Sequence, residues 1–416
     1  MNKQPAYILV VMAALLTTIG FRFEISTSQK PKTESDFDYF YAQRAFPYGK
    51  IDYDAQRAGT RLFKKQLEQS KLNTGGSWQF AGPANIGGRV VDIEMDPTNL
   101  NVAYLAAASG GIFKTNDAGS TWIPVFDNEA TMSMGDIAIA PSNPSIIYAG
   151  TGEANGGSGS LTYDANGVYK STDGGQTWSN IGLNNTRMIG KVCVHPTNPD
   201  ILFVAAMGSM YGKSTERGIY KSTNGGISWQ KVLYLNDSNG GIDVTINPAN
   251  PNIVFAAMWE RIRLVDNKTY SGPSSGLFKS TDGGVTWVEL TNANGLYAAS
   301  TPLSRICVDL CESQPNVVYA KFVNDQLMLD AIYRSTDDGQ NWTPCNIGSI
   351  PQSGGSGEYW FGKIKVDPIN PNVVYQVGFD IYKTTDGGNN WNYVFPGAHV
   401  DHHAIAIHPL NTSFVM

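Results

Sequence analysis

Close to its C-terminal end the sequence reads HVDHHAIAIHP (399–409), with three histidines and an aspartate inside five residues. At strand spacing His399, Asp401 and His403 fall on one face, an arrangement suited to ligating zinc or to pairing an acid with a base. No fourth ligand is identifiable, so metal binding, a polar substrate site and structural hydrogen bonding stay open, and no metal or cofactor is assigned. A second constellation lies in AAMWERIR (256–263). There Trp259 offers a ring to stack on a sugar, while Glu260, Arg261 and Arg263 offer charge for hydroxyls or acids; the plainer reading is a buried Trp beside an exposed Glu–Arg pair. A third set, Asp92, Asp136, Lys191, Asp243, Arg305 and Lys363, recurs at one position of a repeated unit. These acids and bases either bind a polar ligand or neutralise one another as a salt-bridged ring. Hydrolysis of a glycosidic bond needs two carboxyl groups roughly 5 to 10 Å apart. Asp92, Asp136, Glu153, Asp243, Glu260 and Asp401 are the acids available for it, and spacing alone selects no pair, so catalytic residues are unassigned.

The elements that must position these groups are announced by a phrase spelled six times: TNDAGSTW (115–122), STDGGQTW (171–178), STNGGISW (222–229), STDGGVTW (280–287), STDDGQNW (335–342) and TTDGGNNW (384–391). The closing tryptophans stand 56, 51, 58, 55 and 49 residues apart, which suits propeller blades of four strands. Each unit has one order: an alternating strand A ending in a proline turn, a strand B, a strand C, the repeated turn, and a strand D that begins at the Trp. In the turn, Asp or Asn accepts backbone N–H groups and Gly supplies positive φ. A calcium loop would need several oxygen ligands, and each copy offers one acid, replaced in the third by Asn224.

Chain direction alternates, so the A–B proline turns and the repeated C–D turns emerge on one rim, and the B–C and D–A loops on the other. The long irregular B–C loops (153–167, 208–217, 260–276) place any binding site on this second rim. Ring closure is expected from residues 76–83, which resemble a strand D without its own A, B and C. Residues 401–416 supply a seventh strand A and only the beginning of a strand B. The expected fold is therefore all-β, a seven-bladed propeller with its last blade incomplete in this chain. The expected domains are a signal peptide or N-terminal anchor at 1–22, an extension with one helix at 23–74, and the propeller at 75–416. In the helix, Ala58, Leu62, Phe63 and Leu67 make one apolar face suited to packing on the propeller rim.

The bulk composition agrees. Charged residues are 16%, with 44 glycines and 21 prolines, which points to many turns and few long helices. A net charge of −6 without a Lys/Arg run excludes a nucleic-acid partner. One Lys precedes the apolar stretch from Tyr7 to Phe21, the pattern of an export signal, and no membrane span is expected in the mature protein. The four cysteines, Cys193, Cys307, Cys311 and Cys345, are too few to build the fold from disulfides. Cys193 and Cys307 fall at equivalent channel positions of non-adjacent blades, as free thiols.

The six turns resemble Asp boxes, the bacterial neuraminidase repeats of sialidases, xyloglucanase-type glycoside hydrolases and sortilin-type propellers. GPANIGGRV (82–90), ERGIYKSTNGGISWQKVLYLND (216–237), AAMWERIR and HVDHHAIAIHP are similar to exported propeller proteins called sortilin-like or glycosyl-hydrolase-like and common in Bacteroidetes. The resemblance implies a propeller, export to the cell surface or medium, and in related chains a type IX sorting domain. Neither the xyloglucanase aspartates nor the sialidase arginines with their Tyr–Glu pair find a matching position here. The function expected is a monomeric, exported propeller binding a polysaccharide or protein through the B–C/D–A rim. Its candidate contacts are Trp259, Glu260, Arg261, His399, Asp401, His403, Asp92, Asp136 and Asp243. The alternative is a glycoside hydrolase of the xyloglucanase or sialidase type, with a carboxylate pair at the channel mouth.

Overall fold

The computed structural model describes residues 43, 46–48, 52–70, 87–156, 163, 165–263, 268–351 and 357–416. Contacts divide the chain into two units, Met1–Ala55 and Gln56–Met416; among the described residues the second holds every strand. The expected leader at 1–22 and the expected closing strand at 76–83 lie outside the described residues.

Six antiparallel four-stranded sheets follow one another in the order A-B-C-D. Their A strands are Val90–Met95, Met134–Ile139, Ile189–Val194, Asn239–Ile246, Leu303–Cys311 and Lys363–Val366. The expectation of seven blades is corrected accordingly: six complete blades are present among the described residues. The seventh position holds a two-stranded hairpin, Ile407–His408 with Asn411–Val415. It acts as a wedge. Ile405 and Ile407 pack with Tyr375, Val377 and Ile381 of blade 6, while Ala406, Phe414 and Met416 pack with Met95, Ala103 and Trp122 of blade 1. Apolar side chains on both faces of the hairpin thus join the ends of the series.

The repeated turn has one construction throughout. In blade 2 the Ser171 hydroxyl donates to Asp173 Oδ1 (2.8 Å) and accepts from Gly175 N (2.9 Å), while Thr177 donates its amide to Oδ1 (2.9 Å) and its hydroxyl to Oδ2 (2.6 Å). Asn224 fills the same place in blade 3, donating from Nδ2 to Ser228 Oγ at 2.8 Å and accepting Ser228 N at 3.0 Å. In blades 2 and 3 the Trp that follows reaches backwards: Trp178 Nε1 donates to Val125 O and Trp229 Nε1 to Ile181 O, each at 2.9 Å, whereas Trp342 Nε1 bonds Gly339 O of its own turn. Those two indoles tie their blades to the one before, so the turn serves blade-to-blade packing there.

On the opposite rim the helix α1 (Tyr53–Ser70) begins where Asp52 Oδ1 accepts Ala55 N at 2.9 Å. Its contacts correct the expected apolar face. Arg57 is buried and donates to Ala165 O (3.1 Å), and Lys64 donates to Asp127 O (2.8 Å) and Glu129 O (2.5 Å). Leu62 and Phe63 point to solvent, 57% and 60% exposed. Carbonyls at the loop ends attract the cationic face, and that preference outweighs two apolar side chains.

Candidate functional site

Strand pairing fixes the depth of each channel residue. An aromatic side chain on each B strand pairs with one A-strand position: Glu94 with Tyr104, Ala138 with Tyr148, Cys193 with Phe203, Thr245 with Phe255 and Lys365 with Tyr375. In blade 5 the partner is Asp309, opposite Tyr319. Cys307 therefore sits level with Asp92, Asp136, Lys191, Asp243 and Lys363. Alignment on Leu310 misplaces that blade by two residues, because its A–B turn has no proline. Arg305 lies one strand repeat farther toward the B–C rim, and Cys193 and Cys307 are not equivalent. All four cysteines are free.

The channel acids bind to the next strand A in the series. Ile137 N donates to Asp92 Oδ2 (3.2 Å), Val192 N to Asp136 Oδ2 (2.8 Å), Val308 N to Asp243 Oδ2 (3.1 Å) and Val366 N to Asp309 Oδ2 (2.8 Å). Lysines interleave with them. Lys363 pairs with Asp92 at 2.7 Å, Lys365 with Asp309 at 3.5 Å, and Lys191 with Asp136 at 3.2 Å and Glu94 at 3.9 Å. The acidities diverge. Burial works to raise Asp92, but Lys191, Lys363 and the Ile137 amide outweigh it and bring it down to about 2. Burial, with Asp92 beside it, pushes Glu94 up to about 7 despite Lys191, and drives Asp136 well above the usual carboxylate range. Through this tier and down to the proline turns runs a cavity of about 320 Å³, lined by Glu94, Lys191, Asp243, Arg305, Asp309 and Lys365 among others.

The other end of the channel is crossed by protein. Asn155, on the B–C loop of blade 2, accepts from Arg305 Nη1 of blade 5 at 2.5 Å, and the Gly156 carbonyl accepts from Arg261 Nη2 of blade 4 at 3.2 Å. Beside this crossing, buried Glu153 takes a two-pronged bond from Arg89 (2.7 and 2.6 Å). Arg89 lies 5.8 Å from the Trp360 ring. The short helix α2 (Glu358–Phe361) brings Trp360 and Phe361 each to 5.2 Å from the His403 ring. Burial, with Arg89, Arg305 and Lys363 nearby, lowers His403 to about 3, so the imidazole is neutral.

The sequence-derived constellations fare differently. His399 and Asp401 are exposed and His403 is 5% exposed. No regular strand covers 399–406, and Asp401 has φ 73°, which breaks the expected alternation and separates the three. Trp259 is fully buried and donates to Tyr270 O at 2.8 Å. Glu260 accepts from Ser274 Oγ at 2.7 Å. Arg261 is fully buried, 4.0 Å from the Tyr270 ring, and donates to Ile262 O and Thr269 O at 3.0 Å each. These three side chains hold loops together, and the expected exposed Glu–Arg pair is absent. Among the described residues no His/Cys/Asp/Glu group is arranged to hold a metal. Sequence reasoning missed Asn155 and Trp360; the aromatic run EYWF before strand A of blade 6 was the available signal.

Against known proteins, the family model for sortilin (Sortilin-Vps10; sortilin, neurotensin receptor 3) matches residues 166–302. The xyloglucanase Xgh74A of Acetivibrio thermocellus is 22% identical over 394 residues, covering 81% of this chain and 42% of that protein. A xyloglucanase from a Paenibacillus species is 23% identical over 352 residues, covering 77% and 32%. The crystal structure of a GH74 xyloglucanase from Xanthomonas campestris superposes with a TM-score of 0.59 at 18% identity, over 78% of this chain and 50% of that one. This chain folds as a β-propeller and is similar to sortilin and to xyloglucanases. It spans less than half the length of these curated relatives, and the structural likeness carries the fold alone. No described helix is long and apolar enough to cross a membrane.

Proposed function

We propose that this chain is the propeller of an exported glycoside hydrolase acting on a xyloglucan-type polysaccharide, working as a monomer outside the cell. One observation carries the reading: the likeness to xyloglucanases extends over about four-fifths of the chain. The polysaccharide is assigned to the B–C/D–A rim, where Trp360 is partly exposed beside Arg89 and His403. The expected strand at 76–83 would add to the two-stranded seventh position.

A second reading, ligand binding without turnover, is favoured by the engagement of the acids. Glu153 is held by Arg89, Glu260 by Ser274, Asp92 by Lys363 and Asp136 by Lys191. The test is to incubate the purified chain with xyloglucan, other β-glucans and sialosides, measuring new reducing ends and retardation in glycan-containing gels. Release of new reducing ends from xyloglucan supports hydrolysis. Retardation without release supports the second reading, and neither effect on any glycan removes both.

A further inference from the structure

Arg305 is 3% exposed, yet its guanidinium meets only neutral acceptors: Asn155 Oδ1 at 2.5 Å and Trp360 O at 3.5 Å. Its Nε has no hydrogen-bond partner, and among the described residues it forms no ion pair. A buried guanidinium without a counter-ion is costly, and the geometry that best relieves it is a carboxylate set against two of its N–H groups. Arg305 also lines the axial cavity, at the end crossed by the Asn155 loop. The nearby cations are already engaged, Lys363 by Asp92 and Lys191 by Asp136, while Asp243, the acid that feels the Arg305 charge, accepts from Val308 N and lies beyond ion-pair distance of the guanidinium.

Toward the proline turns the sign of the lining changes. Glu94, Asp309 and Glu312 face Lys365, so acids are in excess where the cavity meets that rim. A volume of about 320 Å³ equals the share of roughly ten water molecules, enough for a small organic ion with part of its hydration. The cavity is thus a well with one unmatched positive group at its floor and spare negative charge at its lip.

We propose that this well binds a small zwitterionic carboxylate of the amino-acid class, its carboxylate on Arg305 and its ammonium beside Glu94 and Asp309. The site lies on the rim opposite the one assigned to polysaccharide and does not depend on that assignment.

The experiment is a calorimetric titration of the full chain with three four-carbon probes: 4-aminobutyrate, butyrate and 1,4-diaminobutane. The zwitterion is expected to bind saturably and at least about tenfold more tightly than butyrate or the diamine, the size of one charge-assisted contact. Arg305→Gln is expected to abolish that binding, and Glu94→Gln to narrow the margin of 4-aminobutyrate over butyrate. Thermal melting verifies that both variants fold; should Arg305→Gln fail to fold, the wild-type ranking with Glu94→Gln decides. Diamine binding best, butyrate matching the zwitterion, or no saturable binding of 4-aminobutyrate overturns the proposal.

Discussion

Arg305 and Asn155 are 150 residues apart in sequence and 2.5 Å apart in space, a bond that runs from blade 5 to a loop of blade 2. In a ring with seven positions these blades stand nearly opposite each other, so the bond crosses the axis. One mouth of the channel is therefore bridged by the chain itself, and the axial cavity lies toward the other.

The buried pair beside that bridge should be sensitive to half-removal. Glu153 is fully buried, and Arg89 retains about a quarter of its side-chain exposure. Glu153→Gln or Arg89→Met alone is expected to cost about 3 kcal/mol in urea unfolding, since each strands a charge; Arg89→Met with Glu153→Leu is expected to recover most of it. Single variants as stable as wild type would show that the pair contributes only geometry.

His403 predicts a pH slope of definite sign. Its folded pKa is about 3 and its unfolded value is near 6.5, so across that interval the unfolded chain binds the extra proton. Stability should fall as pH drops from about 6.5 toward 3, and His403→Gln should remove part of the decline. His195 and His402, also lowered by burial, add to it with the same sign, and Glu94 and Asp136, raised by burial, oppose it. An unchanged slope in the variant would assign the effect elsewhere.

The repeated turns act in a lower window. Bonds from the hydroxyl and amide of the residue four places on hold Asp117 and Asp173 near 2, against 3.8 for the free side chain, and the Asn390 side-chain and main-chain amides do the same for Asp386. Their contribution is complete above about pH 4 and is lost as pH falls toward 2. Asn224 shows that an amide fits the same turn, so Asp173→Asn should fold normally and melt with a shallower acid dependence. A steeper dependence would be the wrong outcome.

Two glycines should respond in opposite directions to alanine. A Cβ on Gly135 would stand 2.0 Å from the Ile189 carbonyl of blade 3, against backbone that cannot yield; Gly135→Ala should cost about 3 kcal/mol or more. Gly59 in α1 has nothing within 4 Å of such an atom, and Gly59→Ala should stabilise by up to about 1 kcal/mol. Differential scanning calorimetry of both variants gives the comparison.

Much of the architecture was legible because its signals are local. A Ser–Asp–Gly–Gly turn followed by Trp encodes its own hydrogen bonds, and the A strands alternate in the chain as they do in the channel. What was illegible depended on distant partners. Blade 5 slipped by two residues because Leu310 stood in for a missing proline, and Tyr319 opposite Asp309 is visible only once the strands pair. Trp259 and Arg261 read as a sugar platform until Tyr270 and the Gly156 carbonyl are seen to enclose them. The His399–Asp401–His403 comb assumed a strand that the positive φ of Asp401 breaks. The α1 face was misread because Arg57 and Lys64 find loop carbonyls that no periodicity reveals.

The wedge of Ile407–His408 and Asn411–Val415 gives the annulus a seam. Every other sector presents four strands between its neighbours, whereas here two strands are present among the described residues, and Asn411–Val415 has no outer companion among them. Pulled or heated, the circle should part at this sector first, leaving six sheets still stacked as an open arc.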